Sequence, residues 1–387
     1  MDENKYNFFV SYAPGLENIL RKECQALQLK PVPARSPAKV NPPGEELGGL
    51  LLEGHLSDVY SCNLHLRTAS RITVRLGEFY AAAFSELRKK ASRLVWEQFL
   101  TPGQAVNLSV TCHKSKLYHS DAVAERVLGA INDHFSSISG SKSPCRLDKN
   151  GQLILVRLVN DLCTISVDSS GTLLHKRGYR QEVTKAPLRE TLASAMILAT
   201  GWNGTTPLID PFCGSGTIPI EAALIANHIP PGIARDFAFM KWPNFDPGVW
   251  KAIIQTARDG ITHNEVTIMG YDRDQGAITI AASNAARAGQ KGPIRFKQQP
   301  VSELSPSGAS GWIITNPPFG IRISQTKDLR DLYARFGSIL VHNFQGWQAG
   351  ILCNDQKLTG NLGLPPPLSI LPLIDGGIPV YYSLYSL

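Results

Sequence analysis

Three loops in the second half of the chain carry residues whose types and spacing suit chemistry. The first is Asp210-Pro211-Phe212-Cys213-Gly214-Ser215-Gly216-Thr217, which joins a predicted strand at Pro207–Ile209 to a predicted helix at Thr217–Ala226. Its glycines let the backbone approach a ligand closely, and the first turn of a helix offers unpaired N–H groups. The loop has neither the G-K-[ST] ending of a Walker loop nor the G-x-G-x-x-G spacing of a dinucleotide site. It therefore predicts a ligand site of another kind, with a tight structural turn as the alternative.

The second loop is Gly270-Tyr271-Asp272-Arg273-Asp274, which follows a predicted strand at Val266–Gly270. An acid at the end of the second strand of a nucleotide-binding α/β sheet can accept both hydroxyls of a ribose, and Asp272 directly follows the strand. Asp274 is better placed to cap the helix predicted at Gln275–Ala288. A surface acid without a ligand is the alternative for either residue alone.

The third loop, Thr315-Asn316-Pro317-Pro318-Phe319-Gly320, follows the apolar strand predicted at Trp312–Ile314. Two successive prolines fix the backbone, and a loop at the carboxyl end of a parallel strand faces the crevice in which α/β proteins bind ligands. The Asn316 side-chain oxygen and the Pro317 carbonyl can both accept hydrogen bonds from one –NH₂ group. Phe319 can stack on the face of a base. The pattern predicts recognition of an exocyclic amine, and an ordinary proline turn is the alternative.

Apolar strands that alternate with helices from about residue 188 onward predict a doubly wound, mostly parallel sheet that holds these loops. The further elements predicted there are a helix at Leu188–Ala199 and a strand at Ile294–Phe296. Before residue 168 the pattern predicts a small α+β assembly, with strands at Phe8–Val10, Leu153–Val159 and Cys163–Val167 and helices over 16–27 and Asp121–Phe135. Ser120 is predicted to cap the second of these helices. This half contains no acid–base constellation, which favours a scaffold or binding role.

A basic connector links the two halves and contains His175-Lys176-Arg177-Gly178-Tyr179-Arg180, followed by Lys185 and Arg189. A run of positive charge is often only solvated surface. The functional alternative is contact with phosphates, which is favoured because Tyr179 is interleaved and a binding half adjoins a chemical half. Lys176, Arg177, Tyr179 and Arg180 are the predicted RNA contacts.

The bulk composition is that of an ordinary globular protein with a slight excess of positive charge. The 387 residues carry a net charge of +7, with 43% hydrophobic and 18% charged residues, which argues against extensive disorder. The seven scattered cysteines form no C-x-x-C pair, so reduced core thiols are expected, and no histidine spacing predicts a metal site. The N-terminus lacks the pattern of a secretory signal, and no apolar run approaches the ~18 residues that span a bilayer. A cytoplasmic protein is expected.

Together, D-P-F-C-G-S-G-T and N-P-P-F-G resemble the class I S-adenosylmethionine-dependent methyltransferases that modify amino nitrogens. The wider pattern resembles the THUMP-domain RNA guanine-N2 methyltransferases, including those that act on 23S ribosomal RNA. The pieces that carry this resemblance outside the loops are Ala13-Pro14-Gly15-Leu16-Glu17, Arg177-Gly178-Tyr179-Arg180, Ala186-Pro187-Leu188-Arg189-Glu190 and Phe344-Gln345-Gly346-Trp347. The resemblance spans nearly the whole chain, and its catalytic motifs are sharper than the N-terminal ones.

The resemblance implies a ferredoxin-like segment at 1–57, a THUMP RNA-binding domain at 58–168 and a Rossmann-like methyltransferase domain at 169–387, with the connector at 169–189. Its cofactor would be S-adenosylmethionine and its partner RNA, with 23S ribosomal RNA expected and neither membrane nor metal involved. Asn316, Pro317 and Phe319 would be catalytic. The residues expected at the cofactor are Asp210, Phe212, Cys213, Gly214, Gly216, Thr217, Asp272 and Asn316. Among these, Asp210, Gly214 and Gly216 would flank the methionine part, and Asp272 would bind the ribose.

One segment departs from the related sequences, which carry an acid for the adenine amino group after the third strand. Here Phe296-Lys297-Gln298-Gln299-Pro300 places proline at that position, so adenine recognition is expected to use backbone groups, Gln299 or a neighbour. The chain carries one methyltransferase domain, so one activity is expected rather than a fused pair.

Several alternatives remain open at this stage. A tRNA guanine-N2 methyltransferase is the nearest, because THUMP domains also bind tRNA. Methylation of adenine N6 or of a protein glutamine shares the N-P-P-F motif, but the second would not require an RNA-binding half. A non-catalytic RNA-binding or ribosome-assembly factor would retain the fold without turnover. A dinucleotide-dependent oxidoreductase is the weakest alternative, because the glycine-rich loop of this chain does not have the spacing of a dinucleotide site.

Overall fold

Two β-sheets, one in each half of the chain, organise the protein. The computed structural model describes residues 5–32, 45–46, 48–139, 143–181, 188–290, 292, 294–319 and 326–387. Within these residues, no helix is long and apolar enough to span a membrane. All seven cysteines are unpaired thiols, and six of them are buried, as expected for core residues.

The first half folds as an eight-stranded mixed sheet in the order β2-β3-β1-β4-β8-β7-β5-β6. Its strands are β1 (Tyr6–Tyr12), β2 (Glu45–Glu46), β3 (Gly49–Gly54), β4 (Ala69–Tyr80), β5 (Ala105–His113), β6 (Arg146–Leu147), β7 (Gln152–Val159) and β8 (Leu162–Asp168). Its helices are α1 (Glu17–Ala26), α2 (Leu56–His65), α3 (Phe84–Ala91) and α4 (Ser120–Ser139). The α+β prediction for this half is confirmed, and β1, β7 and β8 contain the strands expected there.

The long strand β4 joins the two parts of this half into one sheet. Its first residues pair with β1, from Ala69 opposite Tyr12, and its last residues pair with β8, up to Tyr80 opposite Leu162. The boundary predicted between residues 57 and 58 falls inside helix α2. A helix is a cooperative unit of hydrogen bonds, and the position of the boundary between the two parts stays a prediction.

The second half folds as a seven-stranded sheet in the order β11-β10-β9-β12-β13-β15-β14. Its strands are β9 (Leu208–Asp210), β10 (Ile268–Asp272), β11 (Ile294–Gln298), β12 (Trp312–Thr315), β13 (Gln348–Cys353), β14 (Ser369–Asp375) and β15 (Ile378–Ser386). The first five are parallel, and β15 pairs antiparallel with both β13 and β14. The predicted doubly wound, mostly parallel sheet is confirmed.

The helices of the second half are α5 (Glu190–Thr200), α6 (Thr217–Ala226), α7 (Pro247–Asp259), α8 (Gln275–Arg287), α9 (Thr326–Asn343) and α10 (Gln356–Gly360). Helix α6 is apolar on nearly all sides, and nine of its ten residues are buried. A helix with that composition can only be a core element. Because α6 begins at Thr217, its packing holds the glycine-rich loop before it in place.

An aromatic segment between α6 and β10 packs into the core of the other half. Phe239 stacks on Tyr60 of α2 at 4.4 Å between ring centroids, and Trp250 meets the same ring edge-on at 6.3 Å. Trp242 Nε1 donates to Gln152 Oε1 at 3.0 Å. Apolar burial is the main favourable term in folding, so this segment fixes the second sheet against the first half.

Candidate active site

The three predicted loops meet at one end of the strands of the second sheet, the edge formed by their carboxyl termini. Strand β9 lies between β10 and β12 and is parallel to both, so its carboxyl end adjoins the carboxyl ends of its two neighbours. The order of strands reverses at β9, since the chain builds outward to β11 on one side and to β12 and β13 on the other. Ligands of open α/β sheets bind at such a switch point, and all three loops lie there.

The glycine-rich loop adopts a conformation that its glycines permit. Gly214 and Gly216 have φ angles of +52° and +83°. A Cβ added to Gly216 would lie 2.9 Å from Ala281 Cβ and 3.0 Å from Phe296 Cζ. Both φ angles favour glycine, and Gly216 is also required by close packing.

Asp210 ties the first loop to the third. This fully buried carboxylate accepts a hydrogen bond from Thr315 Oγ1 at 2.7 Å and another from the Phe212 backbone N–H at 3.1 Å. Burial raises the pKa of Asp210 to about 7, and the nearby charge of Asp272 adds to the rise. A buried carboxyl with a pKa near neutrality favours a cationic ligand, because a positive charge would stabilise its ionised form.

Asp272 ties the first loop to the second. Its Oδ2 accepts from the Gly214 N–H at 3.1 Å, and its Oδ1 accepts from the Asp274 N–H at 2.9 Å. Each carboxylate oxygen keeps a lone pair for a further donor. Asp274 caps α8 by accepting from the Gly276 N–H at 2.8 Å, which confirms the sequence prediction. The ribose role of Asp272 stays a prediction.

The segment after β11 is arranged through Gln299. Its backbone N–H donates to the Asp272 carbonyl at 2.9 Å, and its buried side chain donates from Nε2 to the Glu303 carbonyl at 3.0 Å. The side-chain N–H is thus engaged within the chain. Adenine recognition by Gln299 stays a prediction.

Asn316 follows β12 and offers an unused acceptor at this edge. Its Oδ1 is buried and has no hydrogen-bond partner among the described residues. Such atoms are rare in folded proteins because an unmade hydrogen bond in the interior costs about 1–3 kcal/mol. Pro317 is buried beside it, Phe319 is half-buried against the cores on both sides of the sheet, and Gly320 lies outside the described residues.

The other residues expected at the cofactor lie in the same loop. The half-buried Phe212 ring meets Phe336 edge-on at 5.3 Å between centroids. Cys213 is buried, which raises the pKa of its thiol well above the ordinary value, and its N–H donates to the Tyr271 carbonyl at 2.8 Å. A thiol that holds its proton is not a nucleophile. Thr217 is buried as the first residue of α6.

The connector is placed differently from the prediction. Arg177 and Tyr179 are buried: Arg177 donates to the Leu174 carbonyl at 2.6 Å, and the Tyr179 hydroxyl donates to Glu221 Oε1 at 2.9 Å. Arg180 donates to Glu190 Oε2 at 2.9 Å, which leaves only Lys176 of the four as an exposed cation. The predicted RNA contacts of Arg177 and Tyr179 therefore do not fit their burial. Lys185, Ala186 and Pro187 lie outside the described residues.

Of two residues that the sequence did not single out, Thr315 organises the site and Glu221 organises the connector. Thr315 holds Asp210, and its position directly before Asn316 was the available signal. Glu221, one turn into α6, is buried and accepts from Tyr179 and from Ser194 Oγ at 2.5 Å, with Arg177 Nε at 3.8 Å. An acid inside an apolar helix signals such a buried network. Within the described residues, no group of histidine, cysteine and acidic side chains is arranged to hold a metal ion.

The residues at this edge fit a cationic nucleoside cofactor. A buried carboxylate, an acid at the end of the second strand and two positive-φ glycines surround the carboxyl end of β9, and Asn316 offers its acceptor from β12. The strand order, with the single antiparallel strand β15 between β13 and β14, and the N-P-P-F loop define a class I methyltransferase domain.

Comparison with known proteins specifies the class further. The RMKL-like methyltransferase domain matches residues 177–364, the RlmL ferredoxin-like domain matches 7–73, and the THUMP domain matches 81–168. "Putative RNA methyltransferase slr0064" of Synechocystis is 32% identical over 98% of this chain and 96% of its own length. The chain belongs to this family of THUMP-containing, RlmL-like methyltransferases, with a ferredoxin-like domain, a THUMP domain and a methyltransferase domain in that order.

Two further comparisons bear on the family. "Ribosomal RNA large subunit methyltransferase K/L" of Methylococcus capsulatus is 33% identical over 92% of this chain and 48% of its own length. This chain thus spans about half the length of the K/L relatives. The crystal structure of SMU.472, "a putative methyltransferase complexed with SAH", superposes with a TM-score of 0.89 at 29% identity and covers 99% of this chain and 98% of that one.

Proposed function

We propose that this chain transfers the methyl group of S-adenosylmethionine to the exocyclic N2 of a guanosine in large-subunit ribosomal RNA. The Oδ1 of Asn316 at the switch point, which is buried and has no hydrogen-bond partner among the described residues, carries the proposal. A donor such as an amino group that enters the site would satisfy this acceptor. The SAH complex of SMU.472 supports the cofactor, and the K/L relatives, whose printed name includes ribosomal RNA, support the substrate.

S-adenosylmethionine, when bound, supplies an electrophilic methyl group on a sulfonium. Asn316 Oδ1 and the Pro317 carbonyl would accept the two hydrogens of the target amine. This would orient the amine's lone pair, which is otherwise delocalised into the guanine ring, toward the methyl group. Positioning and electrostatics then provide most of the rate enhancement. The proton can leave late to solvent, so no strong general base is required.

A guanine inside a helix cannot reach this edge, so the base has to be unstacked or flipped. The half-buried Phe319 ring follows Asn316 by three residues and would replace part of the lost stacking.

A cavity of about 600 Å³ between the connector and residues 234–236 is lined by Lys176 and Arg180. We assign this cavity to the path of the RNA, with exposed Lys176 as its phosphate contact. The half-buried His175 beside it stays neutral, because burial and the neighbouring arginines lower its pKa to about 4.

The decisive experiment is methyl transfer from tritiated S-adenosylmethionine to deproteinised RNA from cells that lack this protein. Nucleosides from each RNA size class are identified after digestion. We expect N2-methylguanosine in large ribosomal RNA. Label in tRNA instead would keep the chemistry and replace the substrate, whereas N6-methyladenosine would replace the target atom. No label despite measurable cofactor binding would favour a non-catalytic RNA-binding or assembly factor.

The same assay tests the role of Asn316. Asn316→Ala should lower kcat by roughly a hundredfold or more, as does loss of one transition-state hydrogen bond in other enzymes. Affinity for S-adenosylhomocysteine should stay within about threefold, because the lost acceptor is assigned to the target amine. Asn203→Ala is the matched control. Asn203 is exposed and precedes β9, so it lies toward the amino end of that strand, opposite to the carboxyl end that forms the site. An Asn316→Ala protein with near wild-type kcat would refute the assignment.

A further inference from the structure

One end of the THUMP sheet presents an exposed aromatic pair on a constrained loop. Tyr118 lies between β5 and α4 and is 69% exposed. The His119 ring lies against it, with 4.1 Å between centroids at 41°. Lys114 and Lys116 of the same loop are also exposed. Burial does not account for a tyrosine in this position, since a large ring facing solvent gains nothing from the core.

The loop is held firmly although it faces solvent. The Lys116 N–H donates to Asp161 Oδ1 at 2.6 Å, and the Asp161 N–H donates to Ser115 Oγ at 3.0 Å. Leu117 anchors the loop in the core. Lys114 has a φ of +48°, a conformation that costs a residue other than glycine about 1 kcal/mol or more. Such strain persists where surrounding contacts impose it, and it is concentrated at functional sites.

Tyr118 differs from Tyr80, the other exposed tyrosine at this end, in its aromatic neighbour. Tyr80, the last residue of β4, is 64% exposed; it shares its face of the strand with Glu78, and its carbonyl accepts from Lys90 Nζ at 2.8 Å. Tyr118 follows two lysines and lies against the His119 ring, with Asp121 and Asp161 as the acids of its surroundings. Both tyrosines thus have cations nearby, and the ring pair is what sets Tyr118 apart.

This end of the sheet lies away from the junction with the second half. Strand β8 runs from Leu162, beside the loop, to Asp168, next to that junction, where the Phe239 N–H donates to the Ser169 carbonyl at 3.1 Å. Seven residues of strand span about 20 Å. Tyr118 is therefore about 20 Å from the junction, whereas Asn316 lies in the second half, directly after β12.

We infer that Tyr118 and His119 form a stacking platform for an unpaired base of the substrate RNA, with Lys114 and Lys116 on its phosphates. Aromatic rings next to cations are how proteins bind unpaired RNA bases. The inference rests on the proposed function and adds to it a second contact that selects RNA by an accessible single-stranded segment far from the methylated base.

The test is equilibrium binding of fluorescently labelled, deproteinised large-subunit ribosomal RNA to the full chain. Because stacking contributes about 1–3 kcal/mol per base, Tyr118→Ala should weaken binding roughly fivefold to a hundredfold. Tyr118→Phe keeps the ring and should bind like the wild type. Tyr80→Ala, the matched control, should also leave binding unchanged. Lys114→Ala should reduce the slope of log K against log salt concentration by about 0.7.

Methyl-transfer kinetics separate this inference from the proposed function. Tyr118→Ala should raise KM for RNA and leave kcat and the melting temperature unchanged, because the ring touches neither core nor active site. If the wild type methylates RNA and Tyr118→Ala binds it equally well, the platform is refuted, and a protein contact would be indicated for this loop. If the wild type neither binds nor methylates RNA, the proposed function fails together with the platform.

Discussion

The hydrogen bond between Thr315 and Asp210 offers a sharp test of how the two loops cooperate. Thr315→Val removes the hydroxyl that donates to Asp210 Oδ1 at 2.7 Å and keeps the shape of the side chain. Both residues are fully buried, so no water replaces the donor. A hydrogen bond to a charged group is worth about 1.5–3 kcal/mol. Since 1.36 kcal/mol corresponds to one pKa unit, the loss should raise the pKa of Asp210 by roughly one to two units.

This shift predicts a specific loss of cofactor affinity. The pKa of Asp210 is about 7 in the free protein, so about half of the molecules carry the ionised form at pH 7. With a pKa of roughly 8 to 9, the variant would have only about a tenth to a hundredth ionised. If the cationic cofactor binds the ionised form, its apparent Kd at pH 7 rises by roughly five- to fiftyfold.

The direction of the pH dependence follows from the raised pKa. Ionised Asp210 is disfavoured in the free protein, so affinity for the cation should increase as pH rises through about 7 in the wild type. In Thr315→Val the increase should continue to higher pH. By pH 9 the two proteins should differ by no more than about twofold. The ratio of the two Kd values cancels any ionisation of the cofactor itself.

Calorimetric titration with S-adenosylmethionine between pH 6.5 and 9 measures this ratio. Thr205→Val is the matched control, because Thr205 Oγ1 donates to Asn203 Oδ1 at 2.7 Å in an exposed loop away from the site. A Kd ratio of one at pH 7 would refute the coupling. A ratio that is large but independent of pH would show that Thr315 acts by contact or shape and not through the ionisation of Asp210.

Two further predictions concern the glycine loop and the connector. Gly216→Ala combines a φ of +83° with a clash, so it should lower the free energy of unfolding by roughly 2–4 kcal/mol and abolish cofactor binding. Gly201→Ala, at φ +73° in open space, should lower the free energy of unfolding in chemical denaturation by about 1 kcal/mol and leave binding intact. Equal effects of the two would refute the packing argument. Tyr179→Phe removes a buried hydrogen bond to Glu221 and should lower stability by about 1–2 kcal/mol without changing KM for RNA. Lys176→Ala should instead raise KM for RNA and leave stability unchanged. A Tyr179→Phe protein of unchanged stability and raised KM would restore the RNA contact first expected of Tyr179.

The three loops of the candidate active site were predictable from the sequence because their signals are local. The helix expected at Thr217–Ala226 forms with those bounds, and Asp274 caps α8 as its position after a strand suggested. A glycine-rich turn or a double proline restricts its own backbone whatever surrounds it. The hydrogen bond from Thr315 to Asp210 was not predictable, because it joins residues 105 positions apart that meet only when β9 and β12 pair.

The sequence by itself determined the alternation of strands and helices, the three loops and the family resemblance. Only the tertiary structure decided which polar side chains face solvent. The sequence predicted a basic, aromatic surface at Arg177 and Tyr179, but both side chains are buried and contact Glu221. Likewise, Phe239 belongs by sequence to the second half but packs on Tyr60 of the first. Spacing along the chain specifies local backbone geometry, whereas burial depends on contacts between distant segments, and one sequence does not display those contacts.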